Sequence, residues 1–196
     1  MLKGKLYQQV GREIKDLREK GKILEDYADE KHKYGAKSWV ELLTVIDEDT
    51  PDADKLDALK EMFYAVNKVN ATDGERIVNY QLFQIAKRLS SGELLLLKCI
   101  NEALRAGDYH GDPNHLVRVD NWATKIARRM GHDLAALVVR DERRLTEEGL
   151  ISPYVNSSDT RPHQANVSER NARLTDLGLK FCAAIRDYQI EVRSKE

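Results

Sequence analysis

Four side chains with metal-binding atoms lie close together in the segment that follows residue 107: Asp108, His110, Asp112 and His115. Carboxylate oxygens and imidazole nitrogens at this spacing are ligands that zinc or manganese accepts. The same segment is rich in glycine and turn-forming residues, and no second cluster of His or Cys accompanies it. We therefore expect an exposed loop here, with no metal site and no cofactor.

The other candidates for chemistry are two thiols and a run of acids. Cys99 and Cys182 each lie on the apolar face of an expected helix, where a buried structural role is more common than a nucleophile. The acids of residues 47–54 lack the glycine and the terminal glutamate of a calcium loop. The sequence contains no glycine-rich phosphate loop and no nucleophile elbow. We expect no enzymatic activity.

Composition excludes several other classes of protein. The chain has 196 residues with 32 Lys+Arg against 33 Asp+Glu, so its net charge is -1. Neither half is basic enough to bind nucleic acid by charge alone. The longest aliphatic run, Leu94 to Leu97, is far shorter than the roughly 20 residues that span a bilayer. We therefore expect no membrane partner. Because two cysteines do not make a disulfide framework, we also expect a cytoplasmic protein.

Residues 1–89 are predicted to be all helical. Apolar residues recur at helical spacing from Leu6 to Leu24, with an interruption near Gly21, in a helix expected to reach His32. This stripe is narrow, which predicts packing within the chain or a homodimer through the N-terminal helices. Thr50 is the expected N-cap of a later helix, and Thr72 with Glu75 has the spacing of a capping box.

Residues 90–196 are predicted to combine helices with a small β-hairpin. Ser90 with Glu93 opens a helix, and two more are expected at 120–130 and 133–148. Gly149 ends the last of these and leads into a strand at 151–155. A polar loop over 156–169 and a returning strand at 170–174 complete the expected hairpin, and a closing helix begins near Thr175.

This second region resembles the winged-helix domain of MarR-type transcriptional regulators. Three blocks carry the resemblance: Ile126 to Gly131, Leu145 to Ile151, and Arg173 to Phe181. The resemblance implies that the first block ends the support helix, the second ends the recognition helix, and the third leaves the wing. The expected fold is therefore mainly α, with a helical region at 1–89 followed by a winged-helix domain at 90–196. Leu145, Leu150 and Leu174 are expected to fill the space between the hairpin and the helices of that domain.

In that family the third helix of the unit enters the major groove and the wing touches the adjacent backbone. In this chain we expect positions 134, 137, 138, 141 and 145 to face the core, which leaves Ala135, Ala136, Val139, Arg140, Glu142 and Arg143 outward. Because few of these side chains can hydrogen-bond a base edge, we expect phosphate contacts of low specificity. The predicted nucleic-acid-binding residues are Lys125, Arg128, Arg129, Arg140, Arg143, Arg161, His163, Arg170 and Arg173.

The sequence favours two functions over a third, a metal-dependent enzyme that would use the loop at 108–115. The first is a winged-helix regulatory protein that contacts double-stranded DNA mainly through phosphates. The alternative is a non-enzymatic protein-protein interaction or assembly module with the same fold. Balanced charge and the apolar outward positions of the third helix favour a protein partner, whereas the arginines beside that helix favour DNA.

Overall fold

The computed structural model describes residues 2–26, 32–109, 115–156 and 165–193. The chain divides into two compact units, one within Met1–Leu89 and Ala183–Glu196 and the other within Ser90–Cys182. The N-terminal part of the first unit ends at Leu89, and the second unit begins at Ser90. The second unit ends at Cys182, whereas the sequence placed its end at residue 196.

The predicted mainly helical class is confirmed, together with a small antiparallel sheet. The first unit contains the helices α1 (Leu2–Glu19), α2 (Lys33–Glu48), α3 (Ala53–Asn67) and α4 (Asp73–Arg88). The second contains α5 (Ser91–Arg105), β1 (Leu116–Arg118), α6 (Val119–Arg129), α7 (Ala135–Glu147), β2 (Val155–Asn156), β3 (Ala165–Ser168) and the start of α8 (Asp176–Arg193). No helix in the described ranges is long and apolar enough to cross a bilayer.

The first helix ends earlier than its apolar pattern predicts. Gly21 adopts a left-handed φ of 62°, which other residues reach only with strain, and α1 stops at Glu19 instead of continuing towards residue 32. The stripe of Val10, Ile14 and Leu17 is buried within the chain. These apolar side chains are therefore covered by other residues of the same chain, so the narrow stripe gives no reason to expect a homodimer.

Helix caps in the first unit follow the sequence in one case and depart from it in another. Thr72 and Glu75 form the predicted capping box of α4. The N-cap of α3, however, is Asp52, whose carboxylate accepts from the Lys55 backbone N–H at 3.0 Å. Thr50 has a positive φ of 47°, which does not suit the extended backbone of an N-cap, so the prediction at Thr50 is wrong.

The strands of the second unit lie elsewhere than predicted. They form one antiparallel sheet in the order β1-β3-β2, with Val117 opposite Val167 and Val155 opposite Asn166. The predicted strand partners 151–155 and 170–174 meet at a single bridge between Ile151 and Leu174. The reason is a tight turn at 170–173, where three consecutive residues have positive φ and cannot continue a strand.

Two glycines bring the end of α7 against the start of α8. Gly149 has a φ of 71° directly after α7, as the predicted left-handed turn requires. Gly178 has no room for a side chain, because a Cβ at this position would overlap the carbonyl oxygen of Leu150. Leu145, Leu150 and Leu174 are all buried.

Candidate nucleic-acid interface

The outward face of α7 carries a short apolar section followed by two arginines. Ala136 and Val139 are exposed, and the side chains of Arg140 and Arg143 are 70% and 83% exposed. Two of the positions assigned from the sequence are wrong. Leu134 is 60% exposed because it precedes the helix with φ −88° and ψ 78°, and Glu142 is buried instead of facing outward.

Both arginines of this face are paired with carboxylates of their own helix. Arg140 Nε donates to Asp141 Oδ1 at 2.7 Å, and Arg143 Nε donates to Glu147 Oε1 at 3.0 Å. The hydrogen bond and the charge of Asp141 raise the pKa of Arg140, which keeps it cationic. The exposed positive charge of α7 is therefore partly balanced by neighbouring acids.

The three predicted cations of α6 differ in their surroundings. Arg129 pairs with the Asp108 carboxylate, and that hydrogen bond raises the Arg129 pKa. Lys125 donates to the backbone carbonyl of Asp108 at 2.6 Å and lies 4.1 Å from the centre of the Tyr109 ring. Both side chains thus fasten the segment after α5 to α6. Arg128 is 73% exposed, and its ion pair with Asp133 is long, at 4.0 Å.

The predicted wing cations fall into three groups. Arg161 and His163 lie outside the described residues. Arg170 is exposed at the tight turn after β3. Arg173 is buried, and its placement at a phosphate-contacting surface is wrong.

Arg173 instead connects three elements of the second unit. Its Nη1 donates to Glu142 Oε2 of α7 at 2.6 Å, and its Nη2 donates to the Ser152 carbonyl at 2.7 Å. The guanidinium carbon lies 4.4 Å from the centre of the Trp122 ring on α6. Arg173 has a φ of 71°, so an unusual backbone conformation directs this side chain inward.

Burial governs the protonation of this pair. Loss of water around Glu142 raises its pKa, although the Arg173 guanidinium opposes the shift. Burial also lowers the pKa of Arg173, against the effect of Glu142. The hydroxyl of Tyr154 hydrogen-bonds the second Glu142 oxygen, so the carboxylate has partners on both atoms. The pair is an internal connection between α7, α6 and the segment that leads into β2.

A cavity of about 370 Å³ opens beside this pair, between α7 and the segment before β2. Its lining residues are Val139, Glu142, Arg143, Thr146, Glu147, Pro153, Tyr154 and Arg173. The Thr146 hydroxyl donates to the Glu142 carbonyl at 2.9 Å, and the four charged residues form the two ion pairs already described. The cavity therefore offers apolar walls and few unengaged polar groups.

The four candidate metal ligands are only partly within the described residues. His110 and Asp112 lie outside them. Asp108 is engaged by Arg129, and His115 Nδ1 lies 2.8 Å from the Glu169 carboxylate. In the described ranges, no group of three His, Cys, Asp or Glu side chains is arranged to hold a metal ion. Cys99 and Cys182 are both buried, and burial raises the pKa of each thiol.

Comparisons of the chain with protein-family models, with curated proteins and with solved structures find no match.

Proposed function

We propose that the second unit is a winged-helix domain that binds duplex DNA, mainly through its phosphates, and acts in regulation. The order of elements supports this proposal: helix, strand, two helices and a two-stranded hairpin, with a sheet in the order β1-β3-β2. In such a domain α7 is the helix that enters the major groove, and the strands β2 and β3 belong to the wing.

The observation that carries the proposal is the placement of exposed arginines on α7. Arg140 and Arg143 are three positions apart in the sequence, so their side chains extend from the same face of the helix. Each uses Nε for its intrahelical ion pair, so we expect the terminal nitrogens to meet the phosphates. Arg128 of α6 adds a third exposed cation in the same unit.

The test is a titration of random-sequence duplex DNA by fluorescence anisotropy at several salt concentrations. Each phosphate that a cation neutralises contributes about −0.9 to the slope of log K against log salt. The double variant Arg140→Gln and Arg143→Gln is expected to bind more weakly and to make the slope less steep by about 2. Arg12→Gln with Arg18→Gln, at exposed positions of α1, is the matched control and is expected to bind like the parent.

The proposal fails if the parent protein binds no duplex at low salt. It also fails if the α1 variant loses as much affinity as the α7 variant, because the binding would then follow total charge and not the face of α7.

A second function, a protein-interaction module, is favoured by the cavity beside Val139. Tyr154 lines the cavity, and both it and its chain neighbour Val155 are partly exposed and add apolar surface. A photo-crosslinking amino acid at position 139 separates the two functions in cells. Crosslinks that survive nuclease and are lost with protease support a protein partner, and crosslinks with the reverse behaviour support DNA.

A further inference from the structure

We infer that α7 recognises the methyl groups of thymine, so that the duplex it prefers is rich in A·T pairs. The inference rests on the proposed binding of duplex DNA and concerns which duplex is bound. Its basis is the chemistry of the exposed positions of α7: Ala136, Val139, Arg140, Arg143 and Glu147.

The apolar residues come first along the helix. Ala136 and Val139 are exposed within the first two turns of α7, which begins at Ala135. In a helix that lies in the major groove, the N-terminal residues are the ones that reach base edges. The arginines follow at the next positions of the same face, where a helix of this orientation meets the phosphate backbone.

The methyl groups of Ala136 and Val139 have one apolar counterpart among the base edges of the major groove. Base edges there present hydrogen-bond donors and acceptors at every pair, and only thymine adds a C5 methyl group. Side chains such as alanine contact that methyl group without leaving a polar atom unpaired. Ala136 and Val139 cannot form hydrogen bonds with their side chains, so other base edges would lose hydration against them without compensation.

The charged neighbours do not change this assignment. Arg140 and Arg143 each hold an acid of the helix through Nε, at 2.7 and 3.0 Å. Glu147 is the partner of Arg143 and lies two turns after Val139. The exposed side chains nearest the start of α7 are therefore apolar, and the charged ones lie further along.

The experiment replaces thymine by deoxyuridine. Two A·T-rich duplexes of identical length and pattern are compared by anisotropy at one low salt concentration, one with thymine and one with deoxyuridine. Deoxyuridine keeps every hydrogen-bonding group of thymine and lacks only the methyl group. We expect the thymine duplex to bind about fourfold more tightly for each methyl group in contact. A G·C duplex with 5-methylcytosine is likewise expected to bind more tightly than its unmethylated form.

The variant Val139→Asn tests the residue. It is expected to remove most of the difference between thymine and deoxyuridine while retaining the salt dependence set by the arginines. Because Val139 is 39% exposed, the substitution leaves the core intact. Val40→Asn, at a position 61% exposed on α2, is the matched control and is expected to retain the full difference.

The outcomes separate the two proposals. Equal affinity for thymine and deoxyuridine duplexes, with steep salt dependence, overturns the methyl contact and leaves phosphate binding in place. Absence of binding to every duplex at low salt overturns both. An unchanged thymine preference in Val139→Asn overturns the assignment to this residue.

Discussion

Replacing Arg173 by methionine is expected to destabilise the second unit severely. The change removes the ion pair with Glu142 and the hydrogen bonds to the Ser152 carbonyl, and it leaves Glu142 buried with only Tyr154 as a partner. Methionine keeps the unbranched reach of arginine and does not alter the backbone requirement at φ 71°. Removing one member of a buried ion pair costs about 3–5 kcal/mol, since the remaining charge is uncompensated.

The assay is urea unfolding followed by tryptophan fluorescence. The chain has two tryptophans, Trp39 and Trp122, and only Trp122 belongs to the second unit. A Trp39→Phe background therefore reports on that unit alone. With an m value of about 2 kcal/mol/M, Arg173→Met is expected to lower the urea midpoint by about 1.5–2.5 M. Arg170→Met, at an exposed position of the same turn, is the control and is expected to stay within about 0.5 kcal/mol of the parent.

A double variant separates the ion pair from simple loss of packing. Glu142→Leu together with Arg173→Met leaves no unpaired charge, so we expect its stability to approach that of the parent. The coupling free energy between the two positions should then reach about 3 kcal/mol. A loss below about 1 kcal/mol in Arg173→Met, or a double variant as unstable as the sum of the single ones, would refute the reasoning.

Three further substitutions test the packing, a titration and a cap. Gly178→Ala is expected to cost at least about 2 kcal/mol of unfolding free energy, because the new Cβ overlaps the Leu150 carbonyl oxygen. The control Gly4→Ala, in open space on α1, is expected to stabilise by about 0.5–1 kcal/mol. Equal melting temperatures for the two variants would contradict this. Burial alone would raise the pKa of Glu41, but hydrogen bonds from α4 lower it below 4.5. The stabilising effect of the Glu41 carboxylate is therefore present above pH 4.5 and is lost as the pH falls. The decrease in unfolding free energy between pH 5 and 3 should be smaller in Glu41→Gln than in the parent, and parallel plots of unfolding free energy against pH would exclude this role. Ser90→Ala removes the N-cap of α5 and should cost about 1 kcal/mol in urea unfolding, and an unchanged midpoint would show that the cap contributes nothing.

Helix ends were predictable where the deciding residues are neighbours in the chain. The Thr72–Glu75 and Ser90–Glu93 capping boxes each need two side chains three residues apart, and Gly149 acts through its own backbone. Helix α1 shows the limit of this reasoning. Its apolar pattern continues past Gly21, but the backbone turns there and Ile23 instead forms a bridge with Lys68.

The strands could not be located because their partners are distant and their sequences are short. Strand β1 has three residues and pairs with β3, which lies about fifty residues later in the chain. The formation of β1 as a strand therefore depends on the folded unit that brings the two segments together. The sequence predicts a hairpin of 151–155 with 170–174, yet three successive residues of positive φ interrupt the second segment. Asn, Ala and Arg adopt that conformation at an energetic cost, which only tertiary contacts repay.

Arg173 shows why a candidate interface needs tertiary information. An arginine beside a hairpin suits a phosphate contact or a buried ion pair equally well, and here the choice is made by a carboxylate 31 residues earlier in the chain. Its burial leaves Arg128, Arg129, Arg140, Arg143 and Arg170 as the exposed arginines among the described members of the predicted set, and Arg129 among them is paired with Asp108. One phosphate contact for each of these five arginines would give the proposed duplex binding a slope of log K against log salt of about −4.5.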